Sequence, residues 1–338
     1  MTKALVLGGG GVTGIAWELG VLCGLQRAGV PLGDADVVIG TSAGSVVGTV
    51  IAAGIDLEVA VAQQEVGHNG DRRGETRDGD ASQTSGAGQN SGAGRNGDAS
   101  RNGDASRNGD AGRSSGAGRD GDAGRNGGAE ARAEGERRGG TGRLLAALAV
   151  LTDPAVPVRE GRVRVGEYAL AATTRDEASY VAGMAAILPV RQWPKRDLRI
   201  TAVDTGDGRD VVFDAASGAP LELAVAASCA VPGLMPPITI DGRRYMDGGI
   251  RLGAGADLAA GADHLVVIAP MAWIDRDRIE TEMASTGAGK TLLIDPDEAA
   301  LEAMGQNFMD PGRRAAAARA GLRQGAAVAD AVRAVWPS

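Results

Sequence analysis

The chain has 338 residues, a hydrophobic fraction of 43% and a formal net charge of −8 at pH 7. These values are typical of a globular protein with a substantial core. The acidic balance argues against a nucleic acid partner, because binding to phosphates requires clustered Lys and Arg side chains.

The cysteines and the N-terminus both favour a reducing compartment. Cys23 and Cys229 lie in apolar contexts without the spacing of a metal site or a disulfide framework, so we expect two buried thiols and no metal. The apolar stretch at 4–7 is interrupted by glycine before a signal peptide or a membrane span is complete. The sequence therefore predicts a cytoplasmic protein.

The first 66 residues alternate between strand-like and helix-like patterns. The predicted elements are a strand at 4–7, a helix at 15–28, a strand at 36–39 and a helix at 43–53. Such alternation is typical of a largely parallel sheet.

Residues 67–140 have a different composition, because every apolar residue there is alanine and a six-residue "RNGDAS" repeat appears. A segment without large apolar side chains cannot offset the entropy of ordering its backbone. A calcium-binding β-roll needs nine-residue repeats with an inward apolar position, and neither feature is present. We predict a disordered insertion, rich in Gly, Arg, Asp, Asn and Ser, within a single domain formed by residues 1–66 and 141–338.

The remainder of the chain adds strands joined by tight turns and ends in helices. Tight turns predict antiparallel pairs, so we expect a mixed sheet. The predicted elements are a helix at 143–151, strands at 168–174, 198–204, 211–214, 238–240, 243–247 and 264–270, and helices within 298–310 and 312–336.

The stretch "LVLGGGGVTG" at 5–14 carries a Gly-x-Gly-x-x-Gly pattern between a predicted strand and a predicted helix. This pattern matches the dinucleotide-binding fingerprint. That fold also needs an acid after its second strand to hold the ribose, whereas Asp34 and Asp36 precede the strand here. A dinucleotide-binding oxidoreductase is therefore the least favoured hypothesis, and we expect no cofactor.

The stretch "GTSAG" at 40–44 places a G-x-S-x-G motif at a strand-to-helix junction. The motif predicts that Ser42 lies on a sharp elbow, with Gly40 and Gly44 leaving room for neighbouring backbone. The N-terminus of the following helix directs free N–H groups at the same place. Another interpretation is that Thr41 or Ser42 only caps this helix.

A nucleophilic serine needs a base, and the chain contains two histidines. His68 lies in the predicted insertion, and we expect His264 to satisfy a backbone group at a sheet edge. Asp247 follows a predicted hairpin strand, and Gly248 and Gly249 give it an open turn, so a carboxylate is the better candidate. An ordinary Asp-Gly turn is the alternative.

Together with "AASCAVPGLMPPI" at 226–238 and "DGG" at 247–249, the two motifs resemble the patatin-like phospholipase family in order and spacing, from residue 3 to about residue 270. The resemblance implies a three-layer α/β/α fold with a central mixed, mainly parallel sheet and a nucleophile elbow. It also implies a serine lipid acyl hydrolase, a phospholipase A or lipase-type esterase that works through an acyl-enzyme.

The resemblance assigns a role to each motif. It implies Ser42 as nucleophile and Asp247 as base, in a dyad without histidine. Main-chain N–H groups of the glycine loop would form the oxyanion hole, and further glycines would support the motifs. The oxyanion residues are Gly9, Gly10 and Gly11, and the supporting residues are Gly14, Gly40, Gly44, Gly248 and Gly249.

One departure from the family concerns Thr13, which stands where the loop usually carries Arg or Lys. It leaves open an alternative function, a catalytically weak or inactive acyl-lipid-binding protein of the same fold. The leading hypothesis is a carboxylic ester hydrolase that acts on a lipid or acyl-ester substrate and contacts a membrane surface only transiently. Apolar residues at 231–237 and Trp17 are candidates for lining an acyl channel.

Overall fold

The computed structural model describes residues 1–66 and 149–337. The predicted insertion at 67–140, His68 and most of the predicted helix at 143–151 lie outside the described residues. The predicted disorder and the predicted domain limits therefore remain predictions.

Within these described residues, eight strands form one open, mixed sheet. The strands are β1 Lys3–Leu7, β2 Val37–Gly40, β3 Asp197–Asp204, β4 Asp210–Phe213, β5 Ile238–Ile240, β6 Arg243–Asp247, β7 His264–Ile268 and β8 Lys290–Ile294. Their order is β5-β6-β3-β2-β1-β7-β8, and β4 also pairs with β3. The pairs β1–β2, β1–β7, β2–β3 and β7–β8 are parallel, whereas β3–β4, β3–β6 and β5–β6 are antiparallel. The predicted mixed, mainly parallel sheet is confirmed.

Helices cover both faces of this sheet. They are α1 Gly11–Arg27, α2 Ala43–Ala52, α3 Leu57–Val66, α4 Val158–Ala171, α5 Glu177–Ile187, α6 Leu221–Ser228, α7 Arg276–Ser285, α8 Glu298–Met304 and α9 Arg314–Val335. Alternate residues of a strand point to opposite faces. Leu5 and Leu7 of β1 accordingly join the core formed with α1, α2 and α9, while Ala4 and Val6 join a second core with α7. The predicted three-layer α/β/α architecture is confirmed.

The register of β1 and β2 brings the two main motifs to one edge of the sheet. Leu7, the last residue of β1, pairs with Gly40, the last residue of β2. The glycine loop follows β1 and the G-x-S-x-G elbow follows β2, so both begin side by side. This edge, at the carboxyl ends of parallel strands, is where open α/β sheets usually bind their ligands.

The C-terminal helix α9 packs closely on α1, the helix that follows the glycine loop. Gly20 and Gly24 of α1 face Gly321 and Gly325 of α9, and a Cβ on any of these glycines would collide with backbone of the opposite helix. Because α9 packs so closely on α1, the segment 305–313 that leads into α9 lies beside the glycine loop, where Phe308 contacts Gly11.

The predicted strand at 168–174 is wrong, because most of it belongs to helix α4. Gly161, Val165 and Ala169 are buried at a spacing of four residues, which is a helical period, while Leu170 is exposed. The apolar run at the end of α4 is so short that its pattern fits a strand as well as a helix.

Candidate active site

Ser42 lies on a strained turn between β2 and α2. Its backbone angles are φ 52° and ψ −116°, a conformation that residues with a side chain rarely adopt. A Cβ on Gly40 would lie 2.5 Å from the carbonyl oxygen of Gly44, and a Cβ on Gly44 would collide with the carbonyl oxygen of Leu7. Both motif glycines are therefore required by the close approach of backbone around the elbow.

The structure brings Ser42 and Asp247 into direct contact. The hydroxyl Oγ of Ser42 donates a hydrogen bond of 2.8 Å to Oδ2 of Asp247. Oδ1 of Asp247, at the end of β6, accepts the N–H of Gly249 at 2.7 Å. A Cβ on Gly248 would collide with the side chain of Thr201, so the turn after the aspartate also depends on glycine.

Burial determines the acidity of this aspartate. Ser42 is 8% exposed and Asp247 is 5% exposed. Burial raises the pKa of Asp247 from 3.8 to about 7, although the Gly249 N–H and the Ser42 hydroxyl oppose the rise. A carboxyl group with a pKa near neutrality can both accept and return a proton, which is the property that a general base needs.

The glycine loop presents unused donors next to Ser42. Within residues 1–66 and 149–337, no protein oxygen accepts the amide N–H of Gly9, Gly10 or Gly11. A Cβ on Gly9 would lie 3.7 Å from Cβ of Ser42, so this part of the loop adjoins the side chain of Ser42. On its other side the loop packs on Pro270, because a Cβ on Gly10 would lie 2.6 Å from Cβ of Pro270. Free amides beside a nucleophile are the groups that could hold an oxyanion.

Thr13 is fully buried and is hydrogen-bonded to the segment between α8 and α9. Its N–H donates to the carbonyl oxygen of Phe308 at 3.0 Å, and its hydroxyl lies 3.4 Å from the same oxygen. Gly11 has φ 60°, and a Cβ there would lie 2.7 Å from that carbonyl oxygen. The residue that departs from the pattern of the resembled family is therefore a buried contact with the C-terminal part of the chain. Sequence reasoning missed Phe308, because a backbone carbonyl leaves no signature in the sequence.

His264 and Trp17 each bond to groups outside the proposed dyad. His264 begins β7 and pairs with Lys3 at the start of β1, at the edge of the sheet opposite to Ser42. Its Nδ1 lies 2.8 Å from the carbonyl oxygen of Val335, so it contacts a backbone group as expected. Trp17 is fully buried, and its indole N–H donates to Oε1 of Gln324 in α9 at 3.1 Å. Trp17 is therefore a core residue, and its expected place in an acyl channel is wrong.

The two cysteines differ in burial. Cys23 is buried as predicted, whereas Cys229 is only half-buried. Burial raises the pKa of Cys23 to about 11 and that of Cys229 to about 12, so both remain protonated, poorly nucleophilic thiols. Among the described residues, His, Cys, Asp and Glu side chains form no group of three that could hold a metal ion.

A family model described as "Patatin-like phospholipase" matches residues 5–260. Among solved structures, the chain is similar to the type III effector protein ExoU, with 16% identity and a TM-score of 0.38, covering 100% of this chain and 54% of that one. It is also similar to VipD from Legionella pneumophila, with 15% identity and a TM-score of 0.42, covering 98% of this chain and 67% of that one. The chain thus spans about half the length of ExoU. No curated protein matches the chain.

Proposed function

The chain belongs to the patatin-like phospholipase family, and from this premise we propose that it is a serine lipid acyl hydrolase. Membership of the family supports lipid hydrolysis in general. The more specific proposal, a carboxylic ester hydrolase of phospholipase A or lipase type with a Ser-Asp dyad, rests on one observation. This is the 2.8 Å hydrogen bond from Ser42 to Asp247 on an elbow beside free amides.

In the proposed reaction Asp247 accepts the hydroxyl proton while Oγ of Ser42 attacks the carbonyl carbon of an ester. The oxyanion that forms is held by the N–H groups of Gly9, Gly10 and Gly11, and one such donor typically contributes about 3 kcal/mol to the transition state. The tetrahedral intermediate then expels the alcohol, which takes the proton from Asp247. Asp247 next removes a proton from water while the water oxygen attacks the acyl carbonyl. The second tetrahedral intermediate then releases the fatty acid and expels Oγ of Ser42, which takes the proton back from Asp247 and so regenerates both residues.

No observation now favours the alternative of an inactive lipid-binding protein. That alternative rested on the missing cation at Thr13. The contact from Thr13 to Phe308 anchors the first turn of α1 without any charge, while the N–H groups of the glycine loop remain available.

A fluorophosphonate probe tests the nucleophile directly, because it reacts covalently with activated serines. We expect the wild type to be labelled and Ser42→Ala to remain unlabelled. Asp247→Asn should lose most of its hydrolysis of a short p-nitrophenyl ester, whereas the matched control His264→Ala should hydrolyse it at nearly the wild-type rate. A folded wild type that the probe does not label would overturn the hydrolase proposal.

A lipid substrate also requires contact with a lipid surface. No helix within the described ranges 1–66 and 149–337 is long and apolar enough to cross a membrane. Trp273 is 61% exposed and Ile274 is 40% exposed, in a short turn that follows Pro270, the residue that packs on the glycine loop. Exposed tryptophan favours the membrane interface, and we propose that this turn makes a transient contact with lipid.

Vesicle sedimentation tests the proposed contact. Trp273→Ala should weaken binding to phosphatidylcholine vesicles but leave hydrolysis of a soluble ester unchanged. Val59→Ala removes another exposed apolar side chain, 51% exposed on α3, and serves as the matched control. Equal vesicle binding by both variants would rule out this turn as the contact.

A further inference from the structure

The backbone of Ser42 is held by side chains from a distant segment. Because Ser42 precedes α2 and has a positive φ, its N–H takes part in no helical hydrogen bond. This N–H donates instead to Oγ of Ser228 at 2.9 Å, across 186 positions of the chain. Ser228 is the last residue of α6 and is fully buried. The strained conformation of the proposed nucleophile is therefore fixed from outside its own turn.

The next residue, Cys229, binds the other side of the same backbone. Its Sγ donates to the carbonyl oxygen of Ser42 at 3.2 Å, and this oxygen also accepts the hydroxyl of Ser45 at 2.7 Å. The hydroxyl of Tyr180 in α5 donates to the carbonyl oxygen of Cys229 at 2.9 Å, which anchors the segment to the fold. Consecutive side chains thus hold both the N–H and the C=O group of Ser42.

The third residue, Ala230, holds the other member of the proposed dyad. Its carbonyl oxygen accepts the backbone N–H of Asp247 at 3.0 Å. Residues 228–230 therefore contact Ser42 and Asp247 at once, although these two residues lie 205 positions apart in the chain. Movement of this segment would alter the distance between the proposed nucleophile and its base.

We propose that residues 228–230 are a positioning segment, in which Ser228 and Cys229 hold the backbone of Ser42 while Ala230 holds Asp247 in register with it. The inference rests on the proposed function. The side chains of Ser228 and Cys229 hydrogen-bond to the backbone of Ser42 and not to its hydroxyl, so both would act through the placement of Oγ of Ser42. Misplacement of a reacting group by about 1 Å is enough to lower a rate roughly a hundredfold.

The test separates positioning from mere stability by measuring kcat for each site that reacts with a fluorophosphonate probe. Misfolded molecules do not react and are not counted. Ser228→Ala should lower this kcat roughly 10- to 100-fold and leave KM within about twofold, because contacts to the substrate are kept. Equal values for Ser228→Ala and the wild type would overturn the inference.

Thr49→Val is the matched control. Thr49 is equally buried on α2, and its hydroxyl donates at 2.8 Å to the carbonyl oxygen of Ser45 without touching either member of the proposed dyad. It should lower the melting temperature while keeping the kcat per reactive site. A fall in kcat equal to that of Ser228→Ala would assign the effect to stability and overturn the inference.

A second pair of variants decides the question if Ser228→Ala does not fold. Cys229→Ala removes the donor to Ser42, and Cys229→Ser replaces it with a hydroxyl. We expect a loss of kcat in the alanine variant that serine largely rescues, and equal rates in wild type and both variants would overturn the inference. A wild type that never reacts at Ser42 would overturn the proposed function and this inference with it, whereas reactive but unaffected variants overturn the inference alone.

Discussion

The elbow around Ser42 and the glycine loop lie side by side but are built in opposite ways. At the elbow, the N–H, the carbonyl oxygen and the hydroxyl of Ser42 all have partners within the protein. In the loop, the amides of Gly9, Gly10 and Gly11 have none among the described residues. Unsatisfied backbone donors are rare in native proteins unless something else binds them. We interpret the elbow as a rigid side that holds the proposed nucleophile, and the loop as an open side that would receive the substrate.

If the elbow is the rigid side, a methyl group added where its backbone segments touch should strongly destabilise the fold. In Gly44→Ala the new Cβ would collide with the carbonyl oxygen of Leu7, at the point where β1 meets α2. Neither element can move without opening the sheet, so we expect a loss of more than about 4 kcal/mol in the free energy of unfolding. Urea unfolding followed by circular dichroism measures it. A well-folded variant with wild-type stability would show that the elbow is looser than its contacts indicate.

The ionisable group on the rigid side should make stability depend on pH. The pKa of Asp247 is about 7 in the folded protein and near 3.8 when exposed. The unfolded chain therefore releases this proton first, so the contribution of Asp247 to stability is complete below about pH 4 and is lost as pH rises through 7. Asp247→Asn lacks this dependence and should be more stable than wild type at pH 8, by on the order of 4 kcal/mol.

The free energy of unfolding of the wild type and of Asp247→Asn, measured at pH 4.5 and pH 8, checks this prediction. The difference between the two proteins at each pH isolates the contribution of position 247, because the other buried acids are common to both. The same pKa predicts that kcat/KM of the wild type rises with pH around a midpoint near 7, because only the carboxylate can accept the proton. A stability difference that does not change with pH would contradict the raised pKa.

If the loop is the open side, an added methyl group there should impair activity without affecting the fold. A Cβ on Gly9 meets nothing closer than Cβ of Ser42, at 3.7 Å. Gly9→Ala should therefore melt like the wild type, yet its methyl group would occupy the space beside the proposed nucleophile Ser42. We expect a loss of roughly a hundredfold in kcat/KM, about 2.7 kcal/mol in the barrier. Normal activity in Gly9→Ala would show that the substrate approaches from elsewhere.

The same contrast explains which parts of the molecule could be predicted from its sequence. The elbow, the glycine loop and the Asp-Gly-Gly turn depend on glycines and polar residues at fixed local spacings, so their motifs are visible in the sequence. The structure brings Ser42 and Asp247 together, while their chemical roles remain predictions. The β5–β6 hairpin was likewise predictable, because its turn contains Asp241 and Gly242.

Contacts made by backbone or across long separations were not predictable. Thr13 bonds to the backbone carbonyl of Phe308, a group that every residue has, so the sequence does not identify the partner. The glycines at which α9 packs on α1 lie in distant parts of the chain, and no local pattern shows that they meet. The role of Ser228 depends on a fold that brings together residues 186 positions apart. The end of helix α4 was not predictable, because periodicity alone cannot distinguish a strand from a helix in a short continuous apolar run.

The smallest expected effect concerns Thr13, which lies in the first turn of α1, between the glycine loop and the buried part of that helix. Thr13→Val keeps the shape of the side chain and the N–H that donates to Phe308, and it removes only a hydroxyl 3.4 Å from its acceptor. A bond of that length is weak, so the expected cost is below about 1 kcal/mol in unfolding free energy, and kcat/KM should stay within about threefold of wild type. Thermal melts and ester hydrolysis measure both. A fall in kcat/KM as large as that of Gly9→Ala would instead show that the Thr13 hydroxyl contributes to the function of the glycine loop.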